Sequence, residues 1–207
     1  MDYQTELTEE QKNAFAAVNA RLGLGPTEYT ARLSENELSS LPATRIMSSS
    51  ADESHFPPHY IAVGSIAEMR KIAGFSEEYV DSGQEEPDYP DPPSQDEMHL
   101  AEGYSANISS KLSDDLRNRI RRAAEAYVVG NPAKVKGYES LINATLFPGR
   151  IAVFTDGILE VPANTTHIIK GPDPVILNYE AIIVGENATI SVQSGAEITT
   201  QIFIQQQ

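Results

Sequence analysis

The stretch Ile158-Leu159-Glu160-Val161-Pro162-Ala163-Asn164-Thr165-Thr166 aligns with Ala181-Ile182-Ile183-Val184-Gly185-Glu186-Asn187-Ala188-Thr189 at a spacing of 23 residues. Each copy leaves an apolar run through a turn former, then meets an asparagine and a threonine. A looser third echo begins at Val192-Gln193-Ser194-Gly195-Ala196-Glu197. Short apolar runs rich in Ile and Val, cut by Gly, Pro, Asn and Asp, are the pattern of strands joined by tight turns.

Working outward, the same pattern holds from Arg150 to the last residue. Ile151–Phe154, Ile158–Val161, His167–Ile169, Val175–Leu177, Ala181–Val184, Thr189–Val192 and Ile198–Ile204 all have β-type composition. Closely spaced short strands predict a sandwich or a small barrel, with a short β-solenoid as the alternative. Stacked turns would explain the repeat, and hairpins explain it nearly as well. So few repeats make a poor stack by themselves, which favours the sandwich or barrel.

Upstream, the apolar spacing lengthens to that of helices. Thr8 and Gln11 form a capping box before Phe15, Val18 and Leu22, predicting a helix over 8–22 that Gly23, Gly25 and Pro26 end. A short helix is expected over 34–41, and a polar loop over 48–54. A strand follows at 60–63, then a helix capped by Ser65 and Glu68 that stops at Gly74. The clearest helix begins at Ser113, with Asp114 and Asp115 placed where the helix dipole favours negative charge. Its apolar face is Leu116, Ile120, Ala123, Ala124, Tyr127 and Val128.

Between these lies a segment of different character. Residues 76–97 hold nine acidic side chains, four prolines and no basic residue. Such a composition does not bury enough apolar surface to order itself, so it reads as a linker or as a surface for a protein partner. The expected organisation is therefore α+β in four parts. These are a helical region over 1–75, an acidic, proline-rich linker or interaction segment over 76–111, a helical segment over 112–148 packing on the β domain, and the β domain over 149–207.

The net charge of −15 is lopsided, at −13 for residues 1–111 and −2 for the rest. A field of that sign repels phosphate backbones and anionic lipid, which argues against nucleic acid or membrane surfaces as partners. No apolar run approaches the ~20 residues of a membrane-spanning helix. The acidic first residues do not resemble a signal peptide either, so the expectation is a cytoplasmic protein, or one released without a cleaved signal.

Catalytic signatures are missing. There is no phosphate-binding glycine loop, no H-E-x-x-H, no G-x-S-x-G and no cysteine. His55 and His59, beside Asp52 and Glu53, have metal-ligand chemistry but lie in a proline-bent loop, where surface roles are commoner. His99 carries no motif, and His167 falls on a predicted strand. No cofactor or metal is expected. The sequons at Asn107, Asn143, Asn164 and Asn187 read as turn chemistry.

Two surfaces stand out instead. Residues Thr199, Gln201, Ile202, Phe203 and Ile204 form a terminal strand with no charged guard residues, an edge open to pairing. Arg117, Arg119, Arg121 and Arg122 crowd one helix, and Glu85, Glu86 and Asp88 supply opposite charge for pairing within or between chains. The expected function is a non-catalytic structural or interaction protein, a homo-oligomer assembling through its β end. A carbohydrate or small-ligand binding module and an enzyme with an unfamiliar site are the alternatives.

Overall fold

The computed structural model describes residues 7–76, 87–102, 108 and 112–206. The chain is mixed α/β and divides into two compact units, Met1–Ile61 with Arg150–Gln207, and Ala62–Gly149. This division departs from the four-part organisation expected above. The first 61 residues share a unit with the β end, because sequence-distant strands complete its sheets.

In the first unit the strands are β1 (Thr44–Ser48), β2 (His59–Val63), β3 (Gly149–Val161), β4 (Thr166–Lys170), β5 (Val175–Val184), β6 (Thr189–Val192) and β7 (Ala196–Gln205). They build two sheets, ordered β1-β4-β6 and β2-β3-β5-β7. From β3 onward the chain visits the sheets in turn, so one circuit adds a strand to each. The ladders β1–β4, β4–β6, β3–β5 and β5–β7 are all parallel.

This geometry corrects two expectations. No closed barrel forms, since each sheet has two outer strands. The antiparallel hairpins of a sandwich are not what links the strands either: consecutive strands lie in different sheets, as in a solenoid. The 23-residue repeat is one circuit of the coil. Ile158 stands beside Ala181, Val161 beside Val184 and Thr166 beside Thr189. The next circuit is shorter by two residues, pairing Val175 with Ala196. Alternation of side chains along a strand is the same in parallel and antiparallel sheets, so the pattern alone did not separate the two folds.

The core lies between the sheets and includes Met47, Phe154, Leu159, Ile169, Leu177, Ile182 and Val184. Helix α1 (Glu9–Arg21) has the expected capping box at Thr8 and Gln11. It buries Phe15 and also Asn19, a polar residue inside an apparently apolar stripe. The short helix α2 (Glu35–Ser40) is capped by Ser34 and Glu37. Strand β1 was not legible in Thr44-Arg45-Ile46-Met47-Ser48, and it draws its order from the ladder with β4.

The second unit is helical: α3 (Ile66–Ile72), α4 (Gln95–Glu102), α5 (Asp114–Val129), a 3-10 turn over Pro132–Tyr138, and α6 (Glu139–Leu146). Ile66, Leu116, Ile120, Ala123, Tyr127, Tyr138, Leu141 and Ile142 share one core. The buried guanidinium of Arg70 donates to the carbonyls of Tyr127 and Val128 at 2.7 Å and of Gly130 at 2.9 Å. It thus satisfies the orphan carbonyls at the end of α5 with a positive charge, where the dipole favours one.

Neutral contacts, besides ion pairs, hold the described part of the acidic segment. Asn131 N–H donates to the Tyr89 hydroxyl at 2.9 Å, and the Tyr138 hydroxyl donates to the Asp91 carbonyl at 2.5 Å. Gly130 leaves room for this approach, since a Cβ there would lie 2.5 Å from Pro87 and 2.7 Å from the Tyr89 oxygen. Helix α4 was not expected, yet Ser94 and Glu97 form a capping box before it. That signal is present in the sequence beneath the run of acids. No helix among the described residues is long and apolar enough to cross a membrane.

Candidate functional site

The two ends of the coil differ. At the front, β1 and β2 are the outer strands; at the back, β6 and β7 are. The front edge of the first sheet, along β1, is partly covered. Ile46 donates its N–H to His55 Nδ1 at 2.9 Å and accepts from the His55 N–H at 2.8 Å, while Ser48 N–H donates to the Ser54 hydroxyl at 3.1 Å. On the other sheet, Thr30 covers β3. Its N–H donates to the Thr155 carbonyl at 2.8 Å, and its hydroxyl accepts from Thr155 N–H at 2.9 Å. The core side chains of this end, Met47, Ala31 and Phe56, are buried.

The back end is open. Val192 continues the column of Met47 and Ile169, Ile198 that of Phe154 and Leu177, and Phe203 that of Leu159 and Ile182. The earlier members of all three columns are core residues. The last members stay exposed, Val192 at 50%, Ile198 at 41% and Phe203 at 59%. Residues 187–207 contain one ionisable side chain, Glu197. Arg21 of α1 forms an ion pair with it.

The terminal-strand residues singled out from the sequence therefore divide by register. Phe203 lies on an inner column, at the open end. Thr199 shares the column of Thr155 and Asn178, the residues that bond to α1. The carbonyl of Gln201 accepts from the Gln11 side chain at 3.3 Å. Ile202 and Ile204 are half-buried beside Ala181 and Ile183. Sequence reasoning missed Val192 and Ile198. The repeat does carry the signal, since they sit 23 and 21 residues after the core residues Ile169 and Leu177.

The arginine-rich helix is α5. Arg122 pairs with Asp88, and Arg119 pairs with Glu97, also meeting Asp115 and the Tyr138 hydroxyl at 3.0 Å. Arg119 holds the Glu97 carboxyl below its ordinary range. Arg117 pairs with Asp114 one turn away at 2.8 Å, and Arg121 is exposed. Glu85 and Glu86 lie outside the described residues. The exposed pairs, Arg117–Asp114 and Arg122–Asp88, contribute little individually, about 0–1 kcal/mol.

His55 and His167 are built into the fold. His55 spends its Nδ1 lone pair on the β1 edge, and His59 is exposed on β2. His167 is fully buried inside the coil against Phe56, ring centroids 5.8 Å apart. Among the described residues no group of three or more His, Asp or Glu side chains is placed to hold a metal ion.

The class so defined is a short parallel β coil, capped at one end and apolar at the other, in a chain that also carries a helical unit. Compared with protein-family models, curated proteins and solved structures, the chain matches none.

Proposed function

We propose that this chain is a non-catalytic structural or interaction protein that self-associates through the back end of its coil. One observation carries the reading: three core columns end in exposed apolar side chains, Val192, Ile198 and Phe203. Covering such a side chain is worth up to about 1.5–3 kcal/mol. Charge supports the same surface. On a chain of net charge −15, most faces repel a second copy, whereas residues 187–207 bring one acidic side chain, already paired with Arg21. A strand edge without guard charges is also the feature that folded proteins ordinarily avoid leaving open.

The test is the solution mass of the full chain by light scattering, beside Phe203→Lys. Phe203 is exposed, so the substitution leaves the core intact, which circular dichroism checks. An assembly in the parent chain that falls to the single-chain mass in the variant is the expected result. A parent chain that stays at 22.6 kDa at every concentration would overturn the reading.

A further inference from the structure

We infer that the assembly is a closed dimer about a two-fold axis, with the back ends of two coils facing each other. The inference rests on the self-association proposed above and adds its geometry. Parallel coils can join in two ways. Head to tail, the back of one copy meets the front of the next, and such a contact propagates into a fibre. Back to back, the same patch meets itself, and the assembly closes at two copies.

The two ends of this coil are not complementary, which decides between them. At the front, the N–H and carbonyl of Ile46 are taken by His55, and the Ser48 N–H by Ser54. Beside them, Thr30 occupies the Val153 and Thr155 carbonyls. A back end docked there would find neither free backbone groups at these positions nor exposed core side chains, because Met47, Ala31 and Phe56 are already buried. It would also meet charge, since Glu53 pairs with Lys170 there at 2.8 Å.

Back to back, Val192, Ile198 and Phe203 of each copy meet apolar surface of the other. The acidic side chain that residues 187–206 bring to the contact is Glu197 of each copy, paired with its own Arg21. The Gln201 carbonyl is already occupied by Gln11. The contact is therefore made by side chains across the end, not by a ladder running the whole length of β7.

The experiment uses the full chain and the absence of native cysteine. Light scattering over a concentration range is combined with a nitroxide on Glu10→Cys, an exposed position on helix α1, read by double electron–electron resonance. A two-fold dimer gives a mass that stops at twice that of the chain and one coupled pair of labels per assembly. The front-end variant Thr44→Lys leaves both unchanged, and Ile198→Lys abolishes both. A mass that keeps rising with concentration, and that Thr44→Lys lowers, would overturn the two-fold geometry while leaving self-association standing. A chain that remains single would overturn both. So would a dimer indifferent to both Ile198→Lys and Phe203→Lys.

Discussion

The side-chain amide of Asn178 donates a 2.8 Å hydrogen bond to the amide oxygen of Asn19, tying strand β5 to the helix that covers it. Both residues are fully buried. Thr155 donates to the same oxygen at 3.3 Å, and the Asn19 amide in turn reaches the carbonyls of Gly25 and Glu28 at 3.2 Å. The network fixes α1 on the outer face of the β coil and orders the loop that follows it. Apolar packing alone would hold the helix with less definition, because it does not specify one rotation over the sheet.

Replacing Asn178 by Leu removes this donor and leaves the buried oxygen of Asn19 with one long partner. The expected cost is about 1–3 kcal/mol, the range for a buried polar group deprived of its bond. Urea denaturation measures it, and hydrogen exchange should show the loss of protection concentrated in α1. Stability equal to the parent chain would mean that the network is not what seats the helix.

Arg70 makes a comparable prediction for the helical unit. It donates to Ser76 as well as to the three carbonyls at the end of α5. Arg70→Met keeps the apolar stem and abandons those acceptors, so it should destabilise by about 3 kcal/mol. Arg70→Lys should recover only part, since the three carbonyls accept from the single nitrogen Nη1 but the Ser76 carbonyl accepts from Nε, which lysine lacks. Thermal denaturation of both variants provides the ranking, and a lysine variant as stable as the parent would refute it.

These two clusters mark where the sequence stopped being legible. The strand content of the β end was readable, and the repeat of Ile158–Thr166 at Ala181–Thr189 carried the circuit length, which becomes a register only once the strands are parallel. The direction of the strands was not, because alternation is indifferent to it. Asn19 and Asn178 look like interruptions of apolar runs, and only the packing of α1 on the sheet reveals them as partners. Strand β1 lacks a strand-like composition because its order comes from β4, more than a hundred residues away. For the candidate site, the terminal strand was visible as an uncharged edge. The roles of Val192 and Ile198 needed the columns.

The repeated asparagines yield a prediction about the turns. Asn164 and Asn187, 23 residues apart, have φ of 59° and 55°, in the left-handed region that side chains other than Asn, Asp and Gly enter at a cost of roughly 1 kcal/mol. Each Asn→Ala change should therefore lose about 1 kcal/mol, and each Asn→Gly change much less. Chemical denaturation of the four variants decides it. If alanine and glycine prove equivalent, the turn conformation is not what selects asparagine.

The two ring nitrogens of His167 have no hydrogen-bond partner inside the coil. Burial, with a smaller contribution from the charge of Arg45, pushes its pKa down to about 4, from about 6.5 in the unfolded chain. The ring is thus neutral when folded and takes a proton more readily when unfolded. Stability from this source is complete above about pH 6.5 and is lost as pH falls from there toward 4, by ~3 kcal/mol in all. His167→Leu removes the group and its unpaired nitrogens, so the variant should at least match the parent at pH 7.5. It should then gain on the parent steadily as pH falls to 5. Carboxylates that titrate in the same range are common to both proteins and cancel in the difference. Parallel loss of stability in the two proteins between pH 7.5 and 5 would show that the ring is not kept neutral by the fold.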